Sequence, residues 1–310
     1  TIVQNLVSFS FTTTPVISAT SPAYGQDIDF TINLAPLIAL FTNPTNQPVN
    51  PTGQVRFDID GVTGSPVSLT SSSATAHLTG LNVGNHTVTV SYLGDSNYAS
   101  ANSITYNILV KQDDSVVTIT QTSPTTLLGQ SVTFTATVSP SASPSTGQPG
   151  GTNTVRFYNG AAIPANLLFT GTPVAGVVSF TTSQLLVGAH TITVTYGGDN
   201  NYRPSSNTIS HPVTAGATTT NLVASPMNTA SFGATVSFTA TVSPVISGFG
   251  AATGTVTFMD FAPSHPLGIS LGTVTLNASG FASLNTSALT AENHTITAIY
   301  NGSATYLTSS

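Results

Sequence analysis

The chain has 310 residues, only 5% of them charged, with a net charge of −6, four basic side chains and no cysteine. Arg56, Lys111, Arg156 and Arg203 cannot neutralise a phosphate backbone, which argues against a nucleic-acid partner. Absence of cysteine removes disulfides, thiolate metal sites and a cysteine nucleophile, and apolar runs such as 37–41 are far too short to insert in a membrane. Solubility has to come from Ser, Thr, Asn and Gln.

Taken in chain order, the signals are those of strands. Residues 1–12 alternate, with Val3, Asn5, Val7, Phe9 and Phe11 on one face and Ser8, Ser10 and Thr12 on the other. The run at 28–34 follows and stops at a proline, which cannot extend a central strand. Then comes the short run Val55-Arg56-Phe57 and an alternating run from His86 to Tyr92. From there the pattern repeats every 104 residues. Phe30, Phe134 and Phe238 keep that step, as do Pro36, Pro140 and Pro244, and His86, His190 and His294. Tyr92, Tyr196 and Tyr300 keep it too, with Tyr98, Tyr202 and Tyr306. A fixed period means an array, so the fold is read per repeat. Between the proline and the next phenylalanine lie 21, 17 and 14 positions, yet the proline-to-histidine distance is 50 in all three. Length varies where loops belong and holds where strands belong.

About seven short strands per ~100 residues, separated by Gly, Pro and Asn turns and without helix signals, predict an all-β chain of three tandem immunoglobulin-like antiparallel sandwiches. The boundaries are 1–12 for a leading strand, then domains at 13–112, 113–215 and 216–310. Repeats one and two close with strand-like segments at 103–111 and 207–214, whereas the third stops before such a segment. The leading strand has no place in repeat one. The chain therefore reads as a last strand, two complete domains and a domain lacking its last strand.

The stretches LNVGNHTVTVSYLGDSNY at 81–98 and LLVGAHTITVTYGGDNNY at 185–202 resemble bacterial immunoglobulin-like repeats of the group-3 type. The resemblance covers essentially the whole chain. Repeat three departs from it, lacking the aspartate in 301–306 and carrying Ala291-Glu292 in place of the Val-Gly turn. It implies large secreted or surface-attached proteins with a structural or adhesive role and no enzymatic chemistry. An extracellular or cell-surface address is expected, and Thr1 at the start suggests a product whose secretion signal has been removed or a section of something longer.

The recurring histidines invite a metal or general-base reading. Each opens a strand after a tight turn, where related sandwiches place a corner residue that bonds back to the backbone, and ligands from separate domains would lie far apart. His86, His190 and His294, with the three tyrosine pairs, are therefore read as structural. Asp27, Asp29, Asp58, Asp60, Asp95 and Asp199 are the calcium candidates. One aspartate per loop at 95 and 199 is too few for six to eight oxygen ligands, and turn capping is the favoured role. The pairs Asp27/Asp29 and Asp58/Asp60 share a strand face by spacing but do not recur, so no repeat-wide activity follows from them. There is no Gly-x-Ser-x-Gly elbow and no phosphate-binding glycine loop. No cofactor is expected. Asn85, Asn277, Asn285, Asn293 and Asn301 open glycosylation sequons.

The expected function is a subunit of an extracellular filament. Residues 1–12 would be donated to domain 3 of the next copy, making the chain its own partner, head to tail. The alternative is an adhesin stalk or carbohydrate-binding array, with the strand supplied in cis and surface glycans as partners, favoured if Phe41, Phe249 and Phe261 form exposed aromatic clusters.

Overall fold

The computed structural model describes residues 14–34, 50–101, 103–141, 147–149 and 154–310. The leading strand over 1–12, with Val3, Asn5, Val7, Phe9 and Phe11, lies outside the described residues, as does Phe41.

Domain 1 is built from β1 (Val16–Ile17), β2 (Ile28–Asn33), β3 (Gln54–Ile59), β4 (Pro66–Ser68), β5 (Ser73–Leu78), β6 (Gly84–Tyr92) and β7 (Ile104–Val110). They form two antiparallel sheets, β1-β2-β5 and β4-β3-β6-β7. Domain 2 repeats this with β8 (Ser115–Gln121), β9 (Thr126–Leu127), β10 (Val132–Pro140), β11 (Val155–Asn159), β12 (Leu167–Gly171), β13 (Val177–Thr182), β14 (Gly188–Tyr196) and β15 (Ser205–Thr214). Its sheets are β13-β10-β8 and β12-β11-β14-β15-β9, the last pair parallel. A short 3-10 turn at Pro164–Asn166 is the only helical element among the described residues. Domain 3 contains β16 (Thr218–Ser225), β17 (Val236–Pro244), β18 (Thr255–Ala262), β19 (His265–Thr275), β20 (Phe281–Thr286) and β21 (Thr295–Tyr300), arranged as β16-β17-β20 and β19-β18-β21.

Strict alternation produces the sandwich. In β10, Val132, Phe134, Ala136 and Val138 are buried while the residues between them face outward. Phe30, Phe134, Phe157, Phe258 and the three strand-end tyrosines at 92, 196 and 300 are fully buried, each side chain contributing roughly 1.5–3 kcal/mol of burial. The outward face carries hydroxyls in cross-strand pairs: Thr31 with Thr75 at 2.8 Å, Thr133 with Thr181 at 2.8 Å, Thr135 with Ser179 at 2.9 Å and Thr239 with Ser283 at 3.0 Å. These pairs give the solvated face its polarity where other proteins use charge.

The domains differ at their closing edge. In domain 2 the β14–β15 ladder runs from Tyr196 opposite Ser205 to Gly188 opposite Val213. In domain 3 the corresponding edge of β21 holds one bridge, Tyr300 opposite Ser309. Thr218 secures that end through hydrogen bonds to the Leu307 carbonyl at 2.9 Å and to Ser309 at 2.8 Å.

Candidate functional site

Each domain places its recurring histidine on the same support. His86 Nε2 lies 2.7 Å from the Asn82 carbonyl, His190 Nε2 2.7 Å from that of Leu186 and His294 Nε2 2.9 Å from that of Thr290. In each case the carbonyl is four residues upstream. The other ring nitrogen, Nδ1, meets a side chain from the neighbouring strand: Asp60 at 2.7 Å, Asn159 at 3.0 Å, or both oxygens of Asp260 at 2.8 and 2.9 Å.

These partners do not share the 104-residue step. Asn159 opposes Ile192 and Asp260 opposes Ile296, whereas the equivalent ladder position in domain 1 is Ile59, opposite Val88. Asp60 reaches its histidine from one residue further on, with a left-handed backbone at φ 50° that aspartate tolerates. The pair Asp58/Asp60 does not recur, but Asp60 by itself has a counterpart in Asp260, which loop length and a one-residue offset take out of the 104-residue step. Nor do the two aspartates share an environment. Asp58 accepts from Arg56 Nε at 3.0 Å and the Gly64 amide at 3.1 Å, while Asp60 accepts from the Thr87 amide at 2.8 Å.

Domain 3 adds a second histidine, which the repeat analysis did not single out. His265, at the start of β19, places Nε2 3.1 Å from Asp260 Oδ2. Asp260 sits on the central strand β18, with His265 from one flanking strand and His294 from the loop entering the other. The carboxylate is 1% exposed and both rings are partly buried, their centroids 6.1 Å apart. Among the described residues this is the one group of three side chains whose ligand atoms gather within 4.8 Å of one another. Hydrogen bonds to the Thr290 carbonyl and to Asp260 raise the His294 imidazole above its ordinary value, against the opposing effect of burial.

The acidic loops hold their own turns. Asp95 accepts from the amides of Asn97 at 2.7 Å and Tyr98 at 2.8 Å with one oxygen, and from Thr52 N at 2.7 Å and Oγ1 at 2.8 Å with the other. Asp199 accepts from Asn201 N at 2.7 Å, Tyr202 N at 2.8 Å and the Tyr196 hydroxyl at 2.6 Å. Ser303 takes this place in domain 3, accepting from Thr305 N at 3.2 Å and Tyr306 N at 3.1 Å. Burial pushes the Asp95 carboxyl up, but its four donors outweigh that and hold it at about 2. Tyr92 and Tyr300 donate to the carbonyls of Thr52 at 2.7 Å and Thr253 at 2.6 Å. Asp29 is exposed and meets His77 directly across the β2–β5 ladder at 2.5 Å; Asp27 is exposed before β2.

A second recurring feature lies where one domain meets the next. Tyr24 of domain 1 packs edge-on against Tyr202 of domain 2, ring centroids 5.6 Å apart, and the Tyr202 hydroxyl donates to the Gly147 carbonyl at 2.7 Å. One period later, Leu128 of domain 2 is buried beside Tyr306 and Phe249 of domain 3, around a cavity of ≈ 110 Å³, and the Tyr306 hydroxyl donates to Gly250 O at 2.7 Å. Phe249 is thus at a junction, and the Phe261 ring lies against Gly268. One period on again stands Phe232, 79% exposed. Gly25, Gly129 and Gly233 follow these residues at φ 78°, 82° and 77°. Those glycines, each after a bulky apolar residue, are the sequence signal by which the junctions could have been found.

The profile described as bacterial Ig-like domain (group 3) matches residues 14–111, 117–214 and 222–310. No curated protein matches. Among solved structures, the chain is similar to domains from titin, with 8% identity over 96% of this chain and 96% of that chain and a TM-score of 0.38. It is similar to three N-terminal domains of the highly immunogenic outer capsid protein Hoc of bacteriophage RB49, with 14% identity, coverage of 96% and 94%, and a TM-score of 0.27. The adhesin InvE of Yersinia pseudotuberculosis gives 17% identity, coverage of 64% and 58%, and a TM-score of 0.30.

Proposed function

Because the chain belongs to the bacterial immunoglobulin-like (group 3) family through all three of its repeats, we propose that it is a structural subunit of an extracellular fibre, joined head to tail by strand donation. The observation that carries this reading is the closing edge of β21. Its Tyr300–Ser309 bridge repeats the first rung of the β14–β15 ladder, and an extended segment laid along 295–299 would supply the rest. Such an edge is a template for pairing, and proteins that keep one cover it. Residues 1–12 have the required alternation, and in this reading they are the strand that a neighbouring copy supplies.

Phe232 supports the same direction of growth. Its counterparts Tyr24 and Leu128 each pack against a loop tyrosine of the following domain, and in domain 1 that tyrosine is Tyr98. A second copy docking its Tyr98 end onto Phe232 would repeat the junction already formed twice. A contact between two different patches continues as an open assembly unless its rotation closes a ring. No helix among the described residues is long and apolar enough to cross a membrane.

The repeated junctions equally suit a stalk within a longer surface adhesin, in which the strand follows in cis, and one experiment separates the two. Electron microscopy of the purified chain, with nothing added, should show filaments. Deleting residues 1–12 should abolish them, and Phe232→Asp should weaken end-to-end association. A chain that stays monomeric at every concentration, and whose third domain is stabilised only when the polypeptide is extended past Ser310, overturns strand exchange in favour of the stalk.

A further inference from the structure

The hydrogen bonds around Asp260 aim one nitrogen of each of two histidine rings at a single buried carboxylate. Glu292 accepts from Thr290 Oγ1 at 2.6 Å and from the Ser264 amide at 3.1 Å, and it also takes the single hydroxyl proton of Ser264. With that proton committed, Ser264 Oγ can only accept from His265, 2.8 Å away, which puts the hydrogen on His265 Nδ1. The Thr290 carbonyl is likewise only an acceptor, which puts the hydrogen of a neutral His294 on Nε2. In the neutral rings the remaining nitrogens, Nε2 of His265 and Nδ1 of His294, offer lone pairs. Both are within 3.1 Å of Asp260, a buried acceptor. Lone pairs held against a buried carboxylate repel, so a cation must lie between them. It is either a ring proton, as where His86 meets Asp60, or a metal ion that two converging rings can share.

We propose that this cation is a divalent transition-metal ion of the zinc type, bound by the Asp260 carboxylate, His265 Nε2 and His294 Nδ1. Two imidazoles and a carboxylate suit zinc, cobalt, nickel or copper rather than calcium or magnesium, which prefer all-oxygen shells. Zinc bonds of about 2.0–2.1 Å place tetrahedral ligand atoms roughly 3.4 Å apart. The Asp–His separations are already near that value, and with all ligand atoms inside 4.8 Å the two histidines need to approach by about 1.4 Å at most. Three protein ligands leave a fourth position for water, as in open zinc sites. Ser264, Thr290 and Glu292 act as the outer shell that fixes each ring's tautomer and direction.

Neither other corner offers this. Domain 1 has one histidine on Asp60, whose oxygens also accept from the Thr87 amide and hydroxyl, and domain 2 has the neutral Asn159. The departure of repeat three from the Val-Gly turn, where Glu292 stands, supplies the acceptor that commits the Ser264 proton.

The test is titration of the full 310-residue chain, stripped with a chelator, using Co²⁺ absorption for geometry and Zn²⁺ calorimetry for affinity. One equivalent should bind, with visible Co²⁺ bands of low-coordinate N/O ligation. Replacing a ligand (His265→Gln) should weaken binding by at least about 100-fold, and replacing an outer-shell partner (Ser264→Ala) by about 10-fold. His86→Gln should change nothing, and Zn²⁺ should slow hydrogen exchange in domain 3 alone. The proposal is overturned if no stoichiometric binding occurs, which would leave protons as the bridging cations, or if binding persists in His265→Gln. Should that variant lose its β18 and β21 protection, undiminished affinity in Ser264→Ala overturns the site independently.

Discussion

Domain 2 meets its corner histidine with the amide of Asn159, and domain 3 meets the same ladder position with the carboxylate of Asp260. Close to the first corner, His211 is 0% exposed and packs edge-on to Phe134 at 5.3 Å. Its nitrogens lie 3.0 Å from Thr126 Oγ1 and 3.1 Å from Gln121 Oε1. Burial and the nearby His190 hold the His211 imidazole below its ordinary value, despite an opposing backbone hydrogen bond at Ser123. The domain 2 corner thus pairs its histidine with an uncharged amide, while domain 3 puts a buried carboxyl group in the same place. Since both support the same strands, the fold does not require the charge. A buried ionic group is weak support for stability, because desolvation offsets much of its attraction. The carboxylate in domain 3 is better explained by what it binds than by what it stabilises.

The sharpest way to break this comparison is to remove the histidines from each corner. In chelator, replacing both His265 and His294 by alanine leaves Asp260 buried without a compensating group, and domain 3 should lose roughly 3–5 kcal/mol. His190→Ala leaves only an amide short of a partner, and domain 2 should lose about 1–2 kcal/mol. Urea unfolding followed by NMR, resolved by domain, measures both. Adding Asp260→Asn to the double variant should restore much of the loss. Equal losses in the two domains would show that the Asp260 carboxylate is no more dependent on its histidines than Asn159 is.

A smaller contrast lies in the loop turns. Asp95 accepts four hydrogen bonds where Ser303 accepts two longer ones, so Asp95→Ala should cost domain 1 about 1–2 kcal/mol. Because its carboxyl is held down to about 2 in the folded chain, its contribution is present above the unfolded value of 3.8 and is lost as pH falls toward 2. Solvent screening of this partly exposed group reduces the linkage to about 1 kcal/mol. The acid unfolding of domain 1 should shift accordingly, and that of domain 3, with serine in the turn, should show no such step.

The sandwich was legible because its determinants repeat. Alternation around Phe134, the proline stops and the 104-residue step of the tyrosines are local features that recur in register. The corner was only half legible. The histidines keep the step, but their partners do not: loops of unequal length set Asn159 and Asp260 101 residues apart, and domain 1 reaches His86 from a left-handed Asp60 one residue past the position those two occupy. His265 was hidden for the opposite reason. It has no counterpart, Ala161 standing one period earlier, and a repeat comparison discards what is unique. Glu292 was visible only as a departure from the turn. That it commits the Ser264 proton depends on two loops meeting across the sheet, which spacing does not encode.

The smallest effect, and the most diagnostic of sign, is the response to pH near neutrality. In domain 1, burial lowers the His86 imidazole, but hydrogen bonds to Asp60 and the Asn82 carbonyl outweigh it, so the folded value lies above the ordinary 6.5. That stabilisation is complete below 6.5 and fades as pH rises through the folded value. His211 behaves inversely. Its folded value lies below 6.5, so the unfolded chain takes up the proton first, and domain 2 loses stability as pH falls through and below 6.5. Between pH 7.5 and 5.5, urea unfolding resolved by domain should therefore show domain 1 gaining and domain 2 losing. His211→Gln should flatten the second trend while keeping a side chain that can reach Thr126, and His86→Gln should flatten the first. Trends of the same sign in both domains would mean that the two histidines do not differ in the way their partners imply.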